Sequence, residues 1–318
     1  MGRLPRPNLG DSQQSDSLDL KHMVVVVAGG SGFLGRLLAR RMRTDGHRVI
    51  TLTRQSDVPD AITWLPDGTP GSLTKDLEGT DVVVNLAGEN LAGGRWTEAR
   101  KRALVTSRVL PTRTLASAIN ACTTPPRVFV SGSAVGYYGA RSDEPVTEST
   151  PPGTDFLARI CVDWEQEARA VNTTRTRLAI VRTGIVLSKD GGALQKMLLP
   201  FKLGVGATLG SGEQYFPWIH VDDWVSMVMW MIQHGAASGP FNAAAPEPVT
   251  NHTFTRTLGR VLGRPALLKA PAFAMRLAAG EMADMVLHGQ RVMPARAGQL
   301  GFQFTHRALE PALRSLHL

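Results

Sequence analysis

Seven residues, Gly29-Gly30-Ser31-Gly32-Phe33-Leu34-Gly35, follow the apolar run Val24-Val25-Val26-Val27-Ala28. Glycine lets the main chain take positive φ and approach a ligand where a Cβ would collide. A helix opening here has N–H groups without intrahelical partners and a positive dipole end. Together these features make a seat for a pyrophosphate. The amphipathic run Arg36-Leu37-Leu38-Ala39-Arg40-Arg41-Met42 continues that helix, and Gly46 stops it. A glycine triplet alone is a weak signal; a strand before it, a helix after it and a second strand over 48–53 make it a dinucleotide site.

The end of that second strand selects the dinucleotide. NAD-selective sites place a carboxylate there to bind the adenosine ribose hydroxyls. Here Arg48-Val49-Ile50-Thr51-Leu52-Thr53-Arg54 ends in arginine. A guanidinium matches a 2′-phosphate with paired charge-assisted hydrogen bonds, so NADP(H) is the expected cofactor. The alternative is that Arg54 is merely exposed at a strand end. Asn85-Leu86-Ala87-Gly88 closes the fourth strand with small residues that let the chain pass close to ribose and diphosphate. Asn85 is expected to brace the sheet. His220, Asp222 and Asp223 form a second polar cluster at a strand-to-helix junction, where Asp222 is suited to cap the helix. Capping is therefore expected there, and no metal site.

The elements that must position these groups alternate strand and helix, which indicates an α/β fold: a doubly wound parallel sheet, Rossmann-like, with helices on both faces. Strands are expected at 24–28, 48–53, 61–65, 82–86, 128–131 and 178–182, and helices at 36–45, 98–121 and 155–171. Beyond Leu187 the glycines multiply around a helix at 193–202. A strand at 216–221, a helix at 223–233, a last strand at Phe241-Asn242 and helices at 252–262 and 273–287 follow. The expected division is a nucleotide-binding domain over 23–190, with 215–245 adding sheet elements. Residues 191–214 and 246–318 form a small C-terminal cap on the substrate side. Residues 1–22, polar and aperiodic, read as a disordered extension or tag.

Composition bounds the function. Of 318 residues, 43% are hydrophobic and 19% charged, as in a soluble globular enzyme. No apolar run approaches the ~18 residues of a membrane span. No secretory leader is expected, and Cys122 and Cys161 read as buried thiols in a reducing compartment. The expected location is cytoplasmic. The net charge of +8 includes Arg95, Arg100, Lys101, Arg102, Arg108 and Arg113 around a single Glu98. Without interleaved aromatics this cluster reads as a solvated helix face with one or two phosphate-facing arginines, not a nucleic-acid surface. A small-molecule substrate is the expected partner, with no nucleic acid and no membrane; a homodimer is left open.

With these residues in view, the chain resembles the extended short-chain dehydrogenase/reductase superfamily. More narrowly it resembles its epimerase family branch, related to NAD-dependent epimerase/dehydratases and carrying a C-terminal domain of unknown function. The motifs are GGSGFLG at 29–35, LTR at 52–54, NLAGENL at 85–91, RWTEARK at 95–101, SRV at 107–109, SAVGYYG at 133–139, VRTGIVL at 181–187, FPWIHVDD at 216–223 and HGQRVMPAR at 288–296. The resemblance implies cofactor contacts at Gly29, Ser31, Gly32, Phe33, Leu34, Gly35, Thr53, Arg54, Leu86, Ala87 and Gly88, and points also to Arg108 and Ile185.

It implies a catalytic difficulty as well. The superfamily's chemistry needs a tyrosine and a lysine four residues apart on one helix, where the ammonium helps the phenol pass a proton. Phe156 and Ile160 stand at those positions. With Trp164 they form an apolar stripe expected to pack into the core. Ser133 is present to orient a substrate oxygen, and Tyr137 or Tyr138 is the candidate substitute acid. Arg182, Glu281, Gln290 and Arg291 could face the substrate cavity, with Phe216 and Trp218 as walls. The expected activity is that of an oxidoreductase or epimerase on an unidentified small substrate. The alternative is a non-catalytic NADPH-binding regulatory protein.

Overall fold

Alternation along the first strand sets up both faces of the sheet. In β1 (Val24–Ala28), Val25 and Val27 pack into one apolar cluster while Val26 and Ala28 pack into another. Such two-sided burial is what a parallel strand covered by helices requires. The computed structural model describes residues 22–55 and 58–318; the expectation for residues 1–22 lies, His22 apart, outside the described residues.

Six further strands complete the sheet: β2 (Arg48–Thr53), β3 (Ala61–Thr63), β4 (Val82–Asn85), β5 (Val128–Ala134), β6 (Arg177–Thr183) and β7 (Gly239–Ala243). Their spatial order is β3-β2-β1-β4-β5-β6-β7, and every pairing is parallel. Helices α1 (Phe33–Thr44) and α4 (Val221–Gln233) cover one face, with Leu38, Met42, Trp224 and Val228 in the core. Helices α2 (Glu98–Ala121) and α3 (Phe156–Arg169) lie on the other face, which buries Leu115, Ile119 and Ala168. The fold is a doubly wound, Rossmann-like α/β sheet. All carboxyl ends share one edge, and the chain reverses direction of winding between β1 and β4, where such sheets hold ligands.

A third apolar cluster belongs to the C-terminal part, where Phe201, Phe216, Trp218, Phe254 and Leu313 are buried together. It draws on helices Gly192–Lys202, Asn251–Val261 and Leu309–Ser315. Phe216 stacks on Phe254 at 4.1 Å between ring centroids, so Phe216 and Trp218 are core residues, not walls of a cavity.

Several element boundaries differ from expectation. The strand expected over 216–221 splits into Tyr215–Phe216 and Trp218–His220. Pro217 between them has no N–H to donate; its carbonyl instead accepts from the Ile185 amide at 2.7 Å. The helix expected over 273–287 stops at Ala279, because Gly280 takes φ +62°. A 3₁₀ turn and a short helix, Asp284–Leu287, follow. β3 ends at Thr63, two residues early.

Candidate functional site

The glycine run does what its spacing demands. Gly29 has φ +77°, and a Cβ there would stand 2.8 Å from the Ala87 nitrogen. A Cβ on Gly35 would stand 2.8 Å from the Gly30 Cα, so the first turn of α1 is pressed against its own loop. The Gly32 amide donates to Gly29 O at 2.9 Å and closes the turn. Gly32 is the helix N-cap, with no side-chain cap and no acidic residue in the first turn. Ser31 and Gly32 are exposed, Phe33 and Leu34 half-buried. An anion is the natural partner for such an end, so the residues present fit a dinucleotide pyrophosphate.

The remaining cofactor candidates gather at the same edge. Thr53 ends β2 and accepts the Gln55 amide on its hydroxyl at 3.1 Å. Arg54 is exposed there and makes no ion pair among the described residues. Leu86, Ala87 and Gly88 leave β4 alongside Gly29. Asn85 is fully buried; it donates to Thr112 Oγ1 at 2.8 Å and accepts from the Ala87 amide at 3.1 Å, bracing the chain as expected. The Phe33 ring lies against Gly191 and Gly192, the latter beside Val186, which brings Ile185 and its neighbours toward the loop.

Arg108 is neither a surface charge nor bound to a carboxylate. It is 9% exposed, donates to Glu89 O at 2.9 Å and Leu104 O at 3.0 Å, and lies over the Trp164 ring. A Cβ on Gly88 would touch its side chain at 3.2 Å. Burial lowers its pKa, so the charge is held at a cost that a nearby anion would relieve. Four other members of the basic cluster are committed to acceptors within the protein, while Arg102 is exposed with no ion-pair partner among the described residues. Arg100 meets Glu89, Arg113 grips Glu167, Lys101 meets Glu98 and Glu281, and Arg95 reaches the carbonyls of Leu277 and Ala278.

The three catalytic candidates occupy different environments. Ser133 is 4% exposed and donates to Glu165 Oε1 at 2.8 Å. Tyr138 is fully buried; its hydroxyl donates to Asn242 Oδ1 at 2.6 Å and accepts from Arg182 at 3.0 Å. Burial pushes its pKa up to about 12, so Tyr138 is a core tyrosine and not an available acid. Tyr137 is half-buried, its ring 3.5 Å from the Arg182 guanidinium carbon. Among the described residues its hydroxyl has no hydrogen-bond partner.

Arg182 organises this group and does not face a cavity. Its guanidinium binds Glu165 with both forks, at 2.7 and 2.9 Å, and both side chains are 2% exposed. Burial alone would depress its pKa, but the Glu165 carboxylate overrides this and raises it. Glu148, also buried, accepts the Asn242 amide at 3.0 Å and the Arg296 amide at 3.2 Å. Glu165, Glu148 and Asn242 escaped the sequence reading. One signal was available: an arginine inside the apolar strand 178–182 demands a buried acid, and Glu165 lies on the buried face of α3.

Phe156 departs from its expected place. It is half-buried and meets the Trp96 edge at 5.3 Å, with Lys101 Nζ 5.5 Å from its ring centre; only Ile160 and Trp164 reach the core. Gln290 donates to Gly139 O at 2.6 Å, and Arg291 lies over the Tyr215 ring. At the other cluster the cap is His220, not Asp222: its Nδ1 accepts the Asp222 amide at 3.1 Å. Asp223 instead accepts the amides of Thr305 and His306, each at 2.8 Å. His220, Asp222 and His306 stand within 4.8 Å of one another, but the second His220 nitrogen lies 3.4 Å from Ser315 Oγ. Both nitrogens already have protein partners.

The sequence model of the NAD dependent epimerase/dehydratase family matches residues 25–244, and a domain of unknown function, DUF1731, matches 270–316. An epimerase family protein of Mycobacterium leprae is 40% identical over 91% of this chain and 94% of its own. Human epimerase family protein SDR39U1 is 37% identical over 92% of this chain and 99% of its own. The crystal structure of human SDR39U1 with NADPH superposes with a TM-score of 0.87 at 36% identity, covering 92% of this chain and 99% of that one. A nucleoside-diphosphate sugar epimerase from Corynebacterium glutamicum gives a TM-score of 0.76 at 35% identity, over 93% of this chain and 58% of that chain. No helix among the described residues is long and apolar enough to cross a membrane.

Proposed function

The chain belongs to the NAD dependent epimerase/dehydratase family, and from that premise we infer that it binds NADP(H) and acts as an oxidoreductase or epimerase on a small substrate. The observation that carries the reading is the uncapped, acid-free N-terminus of α1 beside the glycine turn, with Arg54 exposed at the end of the neighbouring strand. Gly29 to Gly35 and Leu86 to Gly88 would hold the dinucleotide, and Arg54 its 2′-phosphate. Bound there, the nicotinamide supplies or takes up hydride. The structural relative crystallised with NADPH supports the choice of coenzyme.

Within the chain, Tyr137 is the group left to move a proton. Its phenol is free of protein partners among the described residues, and its ring rests on the Arg182 guanidinium. Ser133 has its hydroxyl held by Glu165. The second reading, a non-catalytic NADPH-binding regulator, is favoured by one observation: Ser133 and Tyr138 both have their hydroxyl protons engaged with buried partners.

Calorimetric titration with NADPH and NADH tests the coenzyme. Hydrogen bonds to charged groups contribute about 1.5–3 kcal/mol, so NADPH should bind roughly ten- to a hundredfold tighter, and Arg54→Ala should erase most of the difference. Equal binding of both coenzymes would remove the role of Arg54, and binding of neither would sink the whole reading. NADPH oxidation on a panel of carbonyls, or interconversion of nucleotide-sugar stereoisomers with no net change in the coenzyme, abolished in either case by Tyr137→Phe, separates enzyme from regulator.

A further inference from the structure

Seven of the nine large apolar side chains exposed among the described residues lie on two segments of the C-terminal part: Leu199, Leu203 and Val205, and Leu267, Leu268, Phe273 and Leu277. The segments are neighbours. Ala207–Leu209 pairs with Leu268–Ala270, the Gly210 amide donates to Ala270 O at 2.9 Å, and a Cβ on Gly204 would stand 4.0 Å from Pro265 Cγ. Leu267 is 72% exposed, Phe273 74% and Leu277 78%. The last two are four residues apart on the helix Ala272–Ala279, so they share one face. That helix buries no residue fully. Isolated exposed leucines are ordinary; a concentration of this kind on one part of a surface marks an interaction site.

Charge identifies what it meets. Residues 191–212 and 262–280 contain Lys196, Lys202, Arg264, Lys269 and Arg276, and no aspartate or glutamate. Arg276 is paired with Asp284, and Lys196 reaches the Ala92 carbonyl at 3.4 Å. Lys202, Arg264 and Lys269 are exposed and have no ion-pair partner among the described residues. Exposed apolar side chains that share their segments with three unpaired cations match an anionic bilayer surface, with the aliphatic and aromatic groups entering the interface and the cations meeting headgroup phosphates. A second copy is a poorer occupant, since a two-fold contact would set these cations against their own equivalents.

We propose that this face of the C-terminal part, formed by residues 199–205 and 264–277, docks peripherally on anionic membrane. Docking needs neither the coenzyme nor the catalytic reading above. It would place the mouth side of the sheet near lipid, because Arg95 in the loop after β4 holds the carbonyls of Leu277 and Ala278.

The test is co-sedimentation of the full chain with phosphatidylcholine vesicles prepared with and without phosphatidylserine, across a salt series. Binding is expected only to the anionic vesicles and should fall as salt rises. Lys202→Gln and Lys269→Gln should each weaken it about fivefold, as expected for one cation lost near a charged surface. Phe273→Ser with Leu277→Ser should abolish it at any salt, while NADPH affinity and the melting temperature stay unchanged. Three results would overturn the proposal. One is no sedimentation at low ionic strength. Another is sedimentation indifferent to these substitutions but lost when residues 1–21 are removed. The third is light scattering showing a dimer that the Phe273 and Leu277 substitutions dissociate, which would make a second copy the occupant.

Discussion

Replacing Glu165 by alanine tests whether the group beneath Tyr137 is built as described. The carboxylate accepts four hydrogen bonds: from Ser133 at 2.8 Å, from Arg182 at 2.7 and 2.9 Å, and from Arg169 at 2.9 Å. Its removal leaves the buried Arg182 guanidinium with only Tyr138 and the Glu148 carbonyl as acceptors. Breaking a buried ion pair from one side costs about 3–5 kcal/mol, because a charge is stranded in a low dielectric. At about 2–4 °C per kcal/mol for a large domain, the melting temperature should drop by roughly 6–20 °C. The double variant Glu165→Gln/Arg182→Met removes both charges and should recover a large part of that loss. Urea unfolding followed by tryptophan fluorescence gives all the stabilities needed for the cycle. A loss below about 1 kcal/mol for Glu165→Ala, or a double variant no better than the single, would refute the argument that this pair is a desolvated, mutually dependent unit.

Gly35→Ala should fold yet bind NADPH at least tenfold more weakly by calorimetry, because its Cβ cannot enter without displacing the Gly29–Gly30 backbone. Tyr138→Phe should lose about 1–3 kcal/mol of stability in urea melts, since it strips partners from buried Asn242 and Arg182, while any NADPH turnover persists. Burial, with help from the His306 ring tilted against it at 3.7 Å, lowers the His220 pKa from its ordinary value near 6.5. The unfolded chain therefore binds the extra proton first. This contribution is fully present above pH ~6.5 and is lost as pH falls toward the folded pKa, a slope in melting temperature that His220→Asn should flatten. Burial also raises the thiols of Cys122 and Cys161, to about 11 and about 12, so neither should react with Ellman's reagent at pH 8 until the protein unfolds.

What the chain alone determined is whatever rests on local repetition or on a single backbone constraint. The unbroken apolar run of β1 specifies a strand covered on both faces, and the glycines at 29–35 specify a turn into a helix end that has to meet an anion. Those features need only neighbours in sequence, and period and φ are both local. The polar interior was decided by tertiary packing. Ser133, Glu165 and Arg182 come from β5, α3 and β6, and only the pairing of β5 with β6, Ser133 opposite Arg182, brings them under one helix. The same packing buried Tyr138 and left its neighbour Tyr137 reachable, although the two are chemically alike and adjacent in the chain. Desolvation depends on every element that covers a group, so the availability of a proton there is a property of the folded whole.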